Sequence, residues 1–273
     1  MRSSPQCLTI LNTRADAIAV LDALDDPNAL HLSTLLCGAH RKHVIKEVHR
    51  RLKAGEPCRL VSTQVVEAGV DIDFPLVMRA MGPLDRIVQA AGRCNREGHL
   101  ERGRVVIFQP AEGGLPQGVY RDATQRTQLL LQRDVDLHDP AVYERYFQTL
   151  YDRTKLDTKG IQELRENLEY TTVAERFRLV QADTVSVVVR YREKLPNGVG
   201  DLLDAFRYGR GNRRQLFRAL QPFTVGIQHY SLDSYINQLQ LVEIVPGLWQ
   251  WFGEYHCVRG IMIGRHDPTN LVV

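Results

Sequence analysis

Residues 61–98 read VSTQVVEAGVDIDFPLVMRAMGPLDRIVQAAGRCNREG, and the fold is decided there. Two polar blocks, Ser62–Asp73 and Gln89–Arg96, bracket a short apolar run at Leu76–Ala80 and a segment of helical pattern that starts after Pro83 and runs from Leu84 to about Arg93. A strand that ends in hydroxyls, a polar loop, a second buried strand and a helix together make a unit of an open parallel sheet. Ligands of such sheets gather at the carboxyl ends of the strands. The second block places Arg93 and Arg96 three residues apart behind Gly92. Two arginines at that spacing on one turn suit a multiply charged anion. The plainer reading is a pair of surface salt bridges.

Working outward, the alternation persists on both sides. Leu8–Leu11 is an apolar run that ends at Asn12-Thr13, which reads as a strand entering a loop and a helix cap. Arg14–Asp25 has Ile18, Leu21 and Leu24 at helical spacing, and His31–Leu36 is a second strand candidate. A helix from about His40 to Ala54 carries Val44, Ile45, Val48 and Leu52 on one face, with Gly55 as its stop. Arg59–Ser62 and Arg104–Gln109 complete a set of five strands. The reading is an α/β fold, a parallel sheet with flanking helices.

Pro110–Gly118 holds three glycines and two prolines in nine residues. It predicts a linker over 113–120, between a domain at 1–112 and a smaller mixed α+β C-terminal domain at 121–273. Within the latter, Asp122–Arg133, Ala141–Tyr151 and Thr158–Leu168 have helical patterns. Val185–Tyr191, Phe223–His229 and Leu241–Val245 read as strands, Pro196-Asn197-Gly198 as a turn, and Gly200–Leu220 as one or two helices broken near Gly209-Arg210-Gly211. Trp249 and Trp251 alternate with Gln250, as in a strand with one core face.

Composition narrows the functional classes. The chain has 273 residues, 44% hydrophobic and 25% charged, which is ordinary for a globular protein with a substantial core. Net charge is only +3, so any nucleic-acid partner must be met by local clusters. The five cysteines show no C-x-x-C spacing, which argues against a zinc ribbon or disulfide framework and for buried thiols in a reducing cytoplasm. The opening residues hold no apolar core of signal-peptide length, and no run is long enough to span a bilayer.

Two basic clusters stand out. Arg41, Lys42, Lys46, Arg50, Arg51 and Lys53 are opposed only by Glu47. Arg207, Arg210, Arg213, Arg214 and Arg218 fall within twelve residues that hold no acid, interleaved with Tyr208 and Phe217 and preceded by Phe206. Arginines among aromatics suit single-stranded nucleic acid. The plainer alternative is a solvated helix whose aromatics face the core. In the first block, Ser62, Thr63 and the backbone beside Gly69 suit a phosphate chain. Asp71-Ile72-Asp73 suits a ribose hydroxyl, a metal pair or a solvated loop.

VSTQVVEAGVDID followed by QAAGRCNREG resembles motifs V and VI of the superfamily 2 helicases, most closely those of the CRISPR-associated helicase-nuclease of type I systems. ILNTRADA resembles that family's motif IV, HLSTLLCGAHR its next strand and helix start, and FPLVMRAMGPLDRIVQAAGRCNREG agrees almost without interruption. Asn95 favours the CRISPR branch. The motifs cover Leu8–Gly98, and the likeness past Gly118 is one of pattern. The resemblance implies a second RecA-like lobe in which Arg93 and Arg96 meet the γ-phosphate of ATP, with Gln89 positioning that group. Asp71 would contact the ribose, and Gly69 and Gly92 would lie at the nucleotide. Thr13, Arg14, His40, Arg41, Ser62 and Thr63 would follow the tracking single-stranded DNA.

The same family needs a phosphate-cradling G-x-x-x-x-G-K-[ST] loop and an acidic Mg motif on a first lobe, yet no Gly-Lys or Asp-Glu dipeptide occurs here. His138-Asp139 and His266-Asp267 each precede proline, so they read as loop residues rather than as a nuclease metal site. His40, His43 and His49 do not share one helix face, and no metal ligands are expected. The expectation is the second lobe plus C-terminal domain of an ATP-dependent DNA translocase, inactive alone. Its partners would be the first lobe and nuclease domain of the same protein and a Cascade-type surveillance complex. Another superfamily 2 helicase, or a non-catalytic binding module, are the alternatives.

Overall fold

The computed structural model describes residues 1–67, 69–111, 114–116, 118–133, 135–152, 157–177, 184–191 and 198–263. The first elements are β1 (Gln6–Ile10), α1 (Arg14–Leu24), β2 (Leu30–Leu32), α2 (Gly38–Lys53), β3 (Cys58–Ser62), β4 (Leu76–Ala80), α3 (Leu84–Ala91) and β5 (Arg104–Phe108). The five strands form one sheet in the order β2-β3-β1-β4-β5, every pair parallel. Both faces are covered, which is why these strands are apolar nearly throughout. Leu8, Ile10, Leu60 and Val77 pack with Val44 and Val48 of α2. Leu11, Val61 and Ala80 pack with Ala17, Leu21 and Leu24 of α1. In register, Ile10 lies beside both Ser62 and Arg79, so the carboxyl ends of β3, β1 and β4 share one edge. The second strand is only Leu30–Leu32, shorter than its apolar run suggests. After it, Ser33 Oγ accepts from Leu35 N and turns the chain toward α2.

The helices α4 (Val119–Leu131), α5 (Pro140–Asp152), α6 (Ile161–Glu166) and α7 (Tyr170–Arg176) follow. With Gly82–Leu84 they form a compact unit of their own. Its core joins Leu84, Ala123, Tyr146 and Leu150, and the Leu84 amide donates to the Tyr146 hydroxyl at 3.2 Å. Asp139 accepts from Ala141 N at 2.9 Å and Pro140 opens α5, so this His-Asp pair is a helix entry as the proline implied. His266-Asp267 lies outside the described residues.

A second sheet follows: β6 (Thr184–Val188), α8 (Val199–Arg207), α9 (Arg213–Leu220), β7 (Thr224–Gln228), α10 (Leu232–Asn237), β8 (Leu241–Val245), β9 (Leu248–Trp251), β10 (Tyr255–His256) and β11 (Gly260–Ile261). Its strand order is β7-β6-β9-β8, with β6 and β9 parallel and the outer pairs antiparallel. The Trp249–Trp251 stretch is therefore an interior strand, not one with a single core face: Trp251 is buried on one side and Gln250 on the other. Of the Pro196-Asn197-Gly198 turn, only Gly198 is described.

The compact units differ from the division expected at 112 and 121. Residues from Thr184 onward cluster with Met1–Met81 and Asp85–Pro116, not with the helices between. The cause is the β10–β11 hairpin. Ile261 N donates to Leu35 O at 3.0 Å, Cys37 N donates to the Tyr255 hydroxyl at 3.1 Å, and Arg259 pairs with Asp22. Gly260 sits at φ +85°, and a Cβ there would lie 2.3 Å from Leu35 O, so only glycine admits the approach. The sequence marks a linker by composition, but it does not mark where later strands return.

His31 on β2 lies beneath this hairpin, fully buried, with Nδ1 3.3 Å from Val258 O and Nε2 without a partner among the described residues. Burial pushes the imidazole down from 6.5 to about 4. The fold thus holds it neutral while the unfolded chain takes a proton below about pH 6.5, so stability falls as pH drops from 6.5 toward 4. We expect His31 to contribute a loss on the order of 2 kcal/mol between pH 7 and pH 5. His31→Asn should remove that component. Urea unfolding at both pH values measures it, and identical pH dependence in the two proteins would contradict it.

Candidate functional site

The site is built from two loops, the one that leaves the carboxyl end of β3 and the one that follows α3, which Phe74 and Arg93 tie together by a backbone hydrogen bond. After β3 the chain enters a single 3-10 turn, Gln64–Val66, and Gly69 follows at φ +73°, a left-handed conformation open to glycine without strain. In Asp71-Ile72-Asp73 the apolar residue is buried and fixes the direction of both acids. Asp73 accepts from the backbone of Arg96 at 2.8 Å and of Glu97 at 3.2 Å, so it is a turn cap. Asp71 points to solvent and pairs with the Arg96 guanidinium at 2.8 Å.

The second block is shorter as a helix than its pattern implied. The helix α3 ends at Ala91, and Arg93 and Arg96 lie beyond it, not on one turn. Asn95, between them, adopts φ +49° and reverses the chain, a conformation asparagine tolerates better than most residues. Its side chain donates to Leu100 O and accepts from Leu100 N, both at 2.8 Å. The two arginines consequently have different surroundings. Arg93 turns back to the first block, giving Nε to Val66 O at 3.1 Å and a terminal nitrogen to Glu67 O at 2.7 Å. Arg96 is exposed, and its ion-pair partner, Asp71, is 78% exposed. Gln89 is exposed on the last turn of α3, 3.5 Å from Arg86, and Gly92 is exposed just past the helix.

Beneath these loops lies a charge network that the sequence reading did not single out. Arg79, in the middle of β4, is fully buried. It donates to Asn12 Oδ1 at 2.7 Å and Ala80 O at 2.8 Å, and meets Glu67 at 3.1 Å. Glu67 is itself buried and has Arg86 at 3.5 Å from its other oxygen. Burial raises the Glu67 carboxyl above its usual range, against the pull of Arg79 and Arg86. The available signal was one arginine within LVMRA, a charge in a strand otherwise built for a doubly covered sheet.

Several residues expected to follow a nucleic-acid strand face inward. The Thr13 hydroxyl caps α1, accepting from Asp16 N at 3.0 Å. Arg14 is buried. Ser62 Oγ donates to Leu32 O at 2.7 Å, and the Thr63 hydroxyl is buried without a partner among the described residues. His40 is a correction: its ring stacks on Tyr191 at 4.5 Å and meets the Tyr255 hydroxyl at 3.0 Å, so it holds the second sheet and faces no strand. Arg41 is half-buried at the start of α2. The basic face of α2 is also smaller than its sequence suggests. Arg50 pairs with Glu47 and Glu56, and Arg51 pairs with Glu47. Arg210, Arg213 and Arg214 are exposed. No group of three or more His, Cys, Asp or Glu fit to hold a metal ion occurs among the described residues. No described helix is long and apolar enough to cross a membrane. Cys7, Cys37 and Cys58 are buried as expected, whereas Cys257 is exposed.

Residues 3–99 match the family model of the C-terminal part of the CRISPR-associated nuclease/helicase Cas3. The chain is 27% identical over 268 residues to the CRISPR-associated nuclease/helicase Cas3 of Methanothermobacter thermautotrophicus, covering 94% of this chain and 29% of that protein. It is 45% identical over 74 residues to the Haloferax volcanii protein of the same name, 26% of this chain and 8% of the relative. The chain therefore spans less than a third of the length of these relatives. Among solved structures, T. fusca Cas3 with ATP aligns with a TM-score of 0.59 at 20% identity, over 91% of this chain and 36% of that one. A chain of a CRISPR RNA-guided surveillance complex in a pre-nicking state aligns with a TM-score of 0.58 at 18% identity, over 94% and 41%. These two likenesses establish a common fold.

The buried network yields a stability prediction. Arg79→Met leaves Glu67 buried without its nearest cation and should cost about 3–5 kcal/mol. Restoring an apolar match with Glu67→Leu in the same chain should recover part of that loss. Urea unfolding by circular dichroism reads both. A single variant within 1 kcal/mol of wild type would mean that the pair is not the constraint described.

Proposed function

We propose, from the premise that residues 3–99 are a Cas3-like C-terminal helicase lobe, that this chain supplies one wall of a composite ATP site in a translocase acting on single-stranded DNA. The observation that carries the reading is the contrast between the two arginines. Arg93 is bound to the carbonyls of the first block, and Arg96 stands in solvent against an exposed partner, Asp71. An exposed ion pair is worth about 0–1 kcal/mol, so a polyphosphate can displace Asp71 from Arg96 at little cost. Arg96 is then the candidate finger for the γ-phosphate, Arg93 positions the first block, and Gln89 lies near enough in sequence to orient the same group. Asp71, once released, becomes available to a ribose hydroxyl, and Gly69 and Gly92 keep the approaches clear of side chains.

The phosphate cradle and the Mg ion would come with a first lobe, and Mg would screen charge on the phosphates there. Strand DNA would run along the carboxyl edge past Thr13, Arg14, Ser62 and Thr63. Since those side chains face inward, the backbone amides of these loops and the half-buried Arg41 are the better donors to phosphates. Relatives that carry the nuclease/helicase name, and an aligned chain from a surveillance complex, support a place in CRISPR interference, with the nuclease domain and that complex as partners in the cytoplasm.

The test is reconstitution. The chain alone should show no ATPase. Adding a first helicase lobe, in trans or fused, should give ATP hydrolysis stimulated by single-stranded DNA, and Arg96→Ala should lower its rate by roughly 10³-fold or more. Hydrolysis by the chain alone that Arg96→Ala abolishes, or unchanged turnover of the Arg96→Ala complex, would refute the composite site.

A further inference from the structure

The second sheet carries a charged surface that the proposed ATP site does not use. Arg210, Arg213, Arg214 and Arg218 are exposed on or beside α9, and no carboxylate lies within ion-pair distance of them among the described residues. The plain alternative, a solvated helix with its aromatics in the core, accounts for Phe206 alone. Tyr208 is 69% exposed and Phe217 is 46% exposed. Two arginines already lie over aromatic rings: Arg210 is 5.3 Å from the centroid of Tyr208, and Arg213 is 5.3 Å from that of Phe206.

A third pair extends the surface onto the sheet. Arg190 lies 4.6 Å over Phe252. Val188 packs with Val199, Leu203 and Phe206 of α8, while Gln250, its partner on β9, accepts from Arg207 of α8 at 2.7 Å. Arg190 and Phe252 each follow those positions by two residues, just past the ends of β6 and β9. Arginine–aromatic pairs thus recur from the end of β6 to the turn between the two helices.

Local backbone choices present this surface and gain nothing for the helix itself. Gly209 at φ +63° and Gly211 at φ +86° bend the chain, with open space where a Cβ would be, so they serve the turn and not packing. The turn sets Arg210 between α8 and α9. Asn212 then caps α9, and Arg213 and Arg214 occupy its first turn with no acid beside them. Cations at a helix N-terminus oppose the helix dipole, and an incoming polyanion relieves that conflict.

We propose that this face binds single-stranded nucleic acid, with the arginines on phosphates and Tyr208, Phe217 and Phe252 as stacking platforms for bases. Stacking with arginine contact is tolerant of sequence, because every base offers a ring face. The strand would receive a second hold from the same chain, away from the nucleotide-facing loops. The translocase reading supplies only the use of that hold. The binding stands on this surface alone.

The test uses the 273-residue chain with no nucleotide and no first lobe, so it and the ATPase reconstitution can fail independently. Labelled dT20 and rU20 are titrated by fluorescence anisotropy across a range of salt, the two arms distinguishing DNA from RNA. The triple change Arg210→Ala, Arg213→Ala, Arg214→Ala should weaken binding at least about tenfold and reduce the slope of log K against log salt by about 2, near 0.7 per lost phosphate contact. Tyr208→Ala with Phe217→Ala should weaken binding about fivefold or more and leave the slope unchanged. All five side chains are exposed, so superimposable circular dichroism and melting curves check the fold. Binding that the triple change leaves intact overturns the proposal. So does a loss matched in full by poly-glutamate and indifferent to the aromatic changes, which would make the face a general acidic-protein surface.

Discussion

A full positive charge in the centre of a buried strand constrains everything around it. Arg79 lies at 0% exposure on β4, and desolvating a guanidinium there is tolerable only if carboxylate and carbonyl oxygens enclose it. Glu67 and Asn12 provide them, and each comes from a different loop at the carboxyl edge. The turn after β3 must therefore stay against β4, and the end of β1 must stay against both. The constraint then passes outward. The carbonyls of Val66 and Glu67 receive Arg93, Arg93 O and Asn95 N bond to Phe74, and Asp73 caps the amides of Arg96 and Glu97. A chain of directional contacts runs from the carboxyl end of β1 to the exposed arginine. Buried ion pairs are poor evidence for net stability, but they punish any rearrangement that separates them. They suit a loop that holds one geometry.

The return of the C-terminal strands to the first sheet is a constraint of another kind. It depends on fit and not on charge. Gly260 admits the hairpin close to Leu35, the Tyr255 hydroxyl accepts from Cys37 N and meets the His40 ring, and Tyr191 stacks on that ring. His40 is thus spent on packing between sheets, which is why its position at the start of a basic helix was misleading. The same economy applies along the carboxyl edge, where Thr13 and Ser62 use their hydroxyls to terminate secondary structure. Polar residues at a strand end serve the fold first, and what remains for a ligand is backbone and the longer side chains.

Legibility in the sequence followed the range of the interactions. The five parallel strands were readable because apolar runs and Gly, Pro or Asn breaks are local signals, and β4 fell at Leu76–Ala80 as read. The two blocks were readable because glycines and arginines at close spacing have few structural uses. The division into units was readable only in part: the break after Pro116 falls within the expected linker, but the return of the chain from Thr184 to the first unit was not visible. Linker composition is local, whereas the hairpin contact joins residues more than 200 positions apart, such as His31 and Val258. Nor was the unequal environment of Arg93 and Arg96 readable: i, i+3 spacing implies one helix face only if the helix continues, and it stops at Ala91. Glu67 stood in plain view within VVEAG, but its importance depends on Arg79, and that pairing requires the sheet register.

That unequal environment sets the two arginines of the second block apart. Arg93 donates to two carbonyls, contacts that any departure would leave unsatisfied at the protein's expense. Arg96 faces a carboxylate that water solvates almost as well as the arginine does. A triphosphate offers charge-assisted, forked hydrogen bonds that a single exposed carboxylate does not match. Competition for the guanidinium thus falls entirely on Arg96, and Arg93 keeps the loop from following it. Hydrogen bonding to the backbone, rather than residue type, decides which of two identical side chains is free to exchange its partner for an anion.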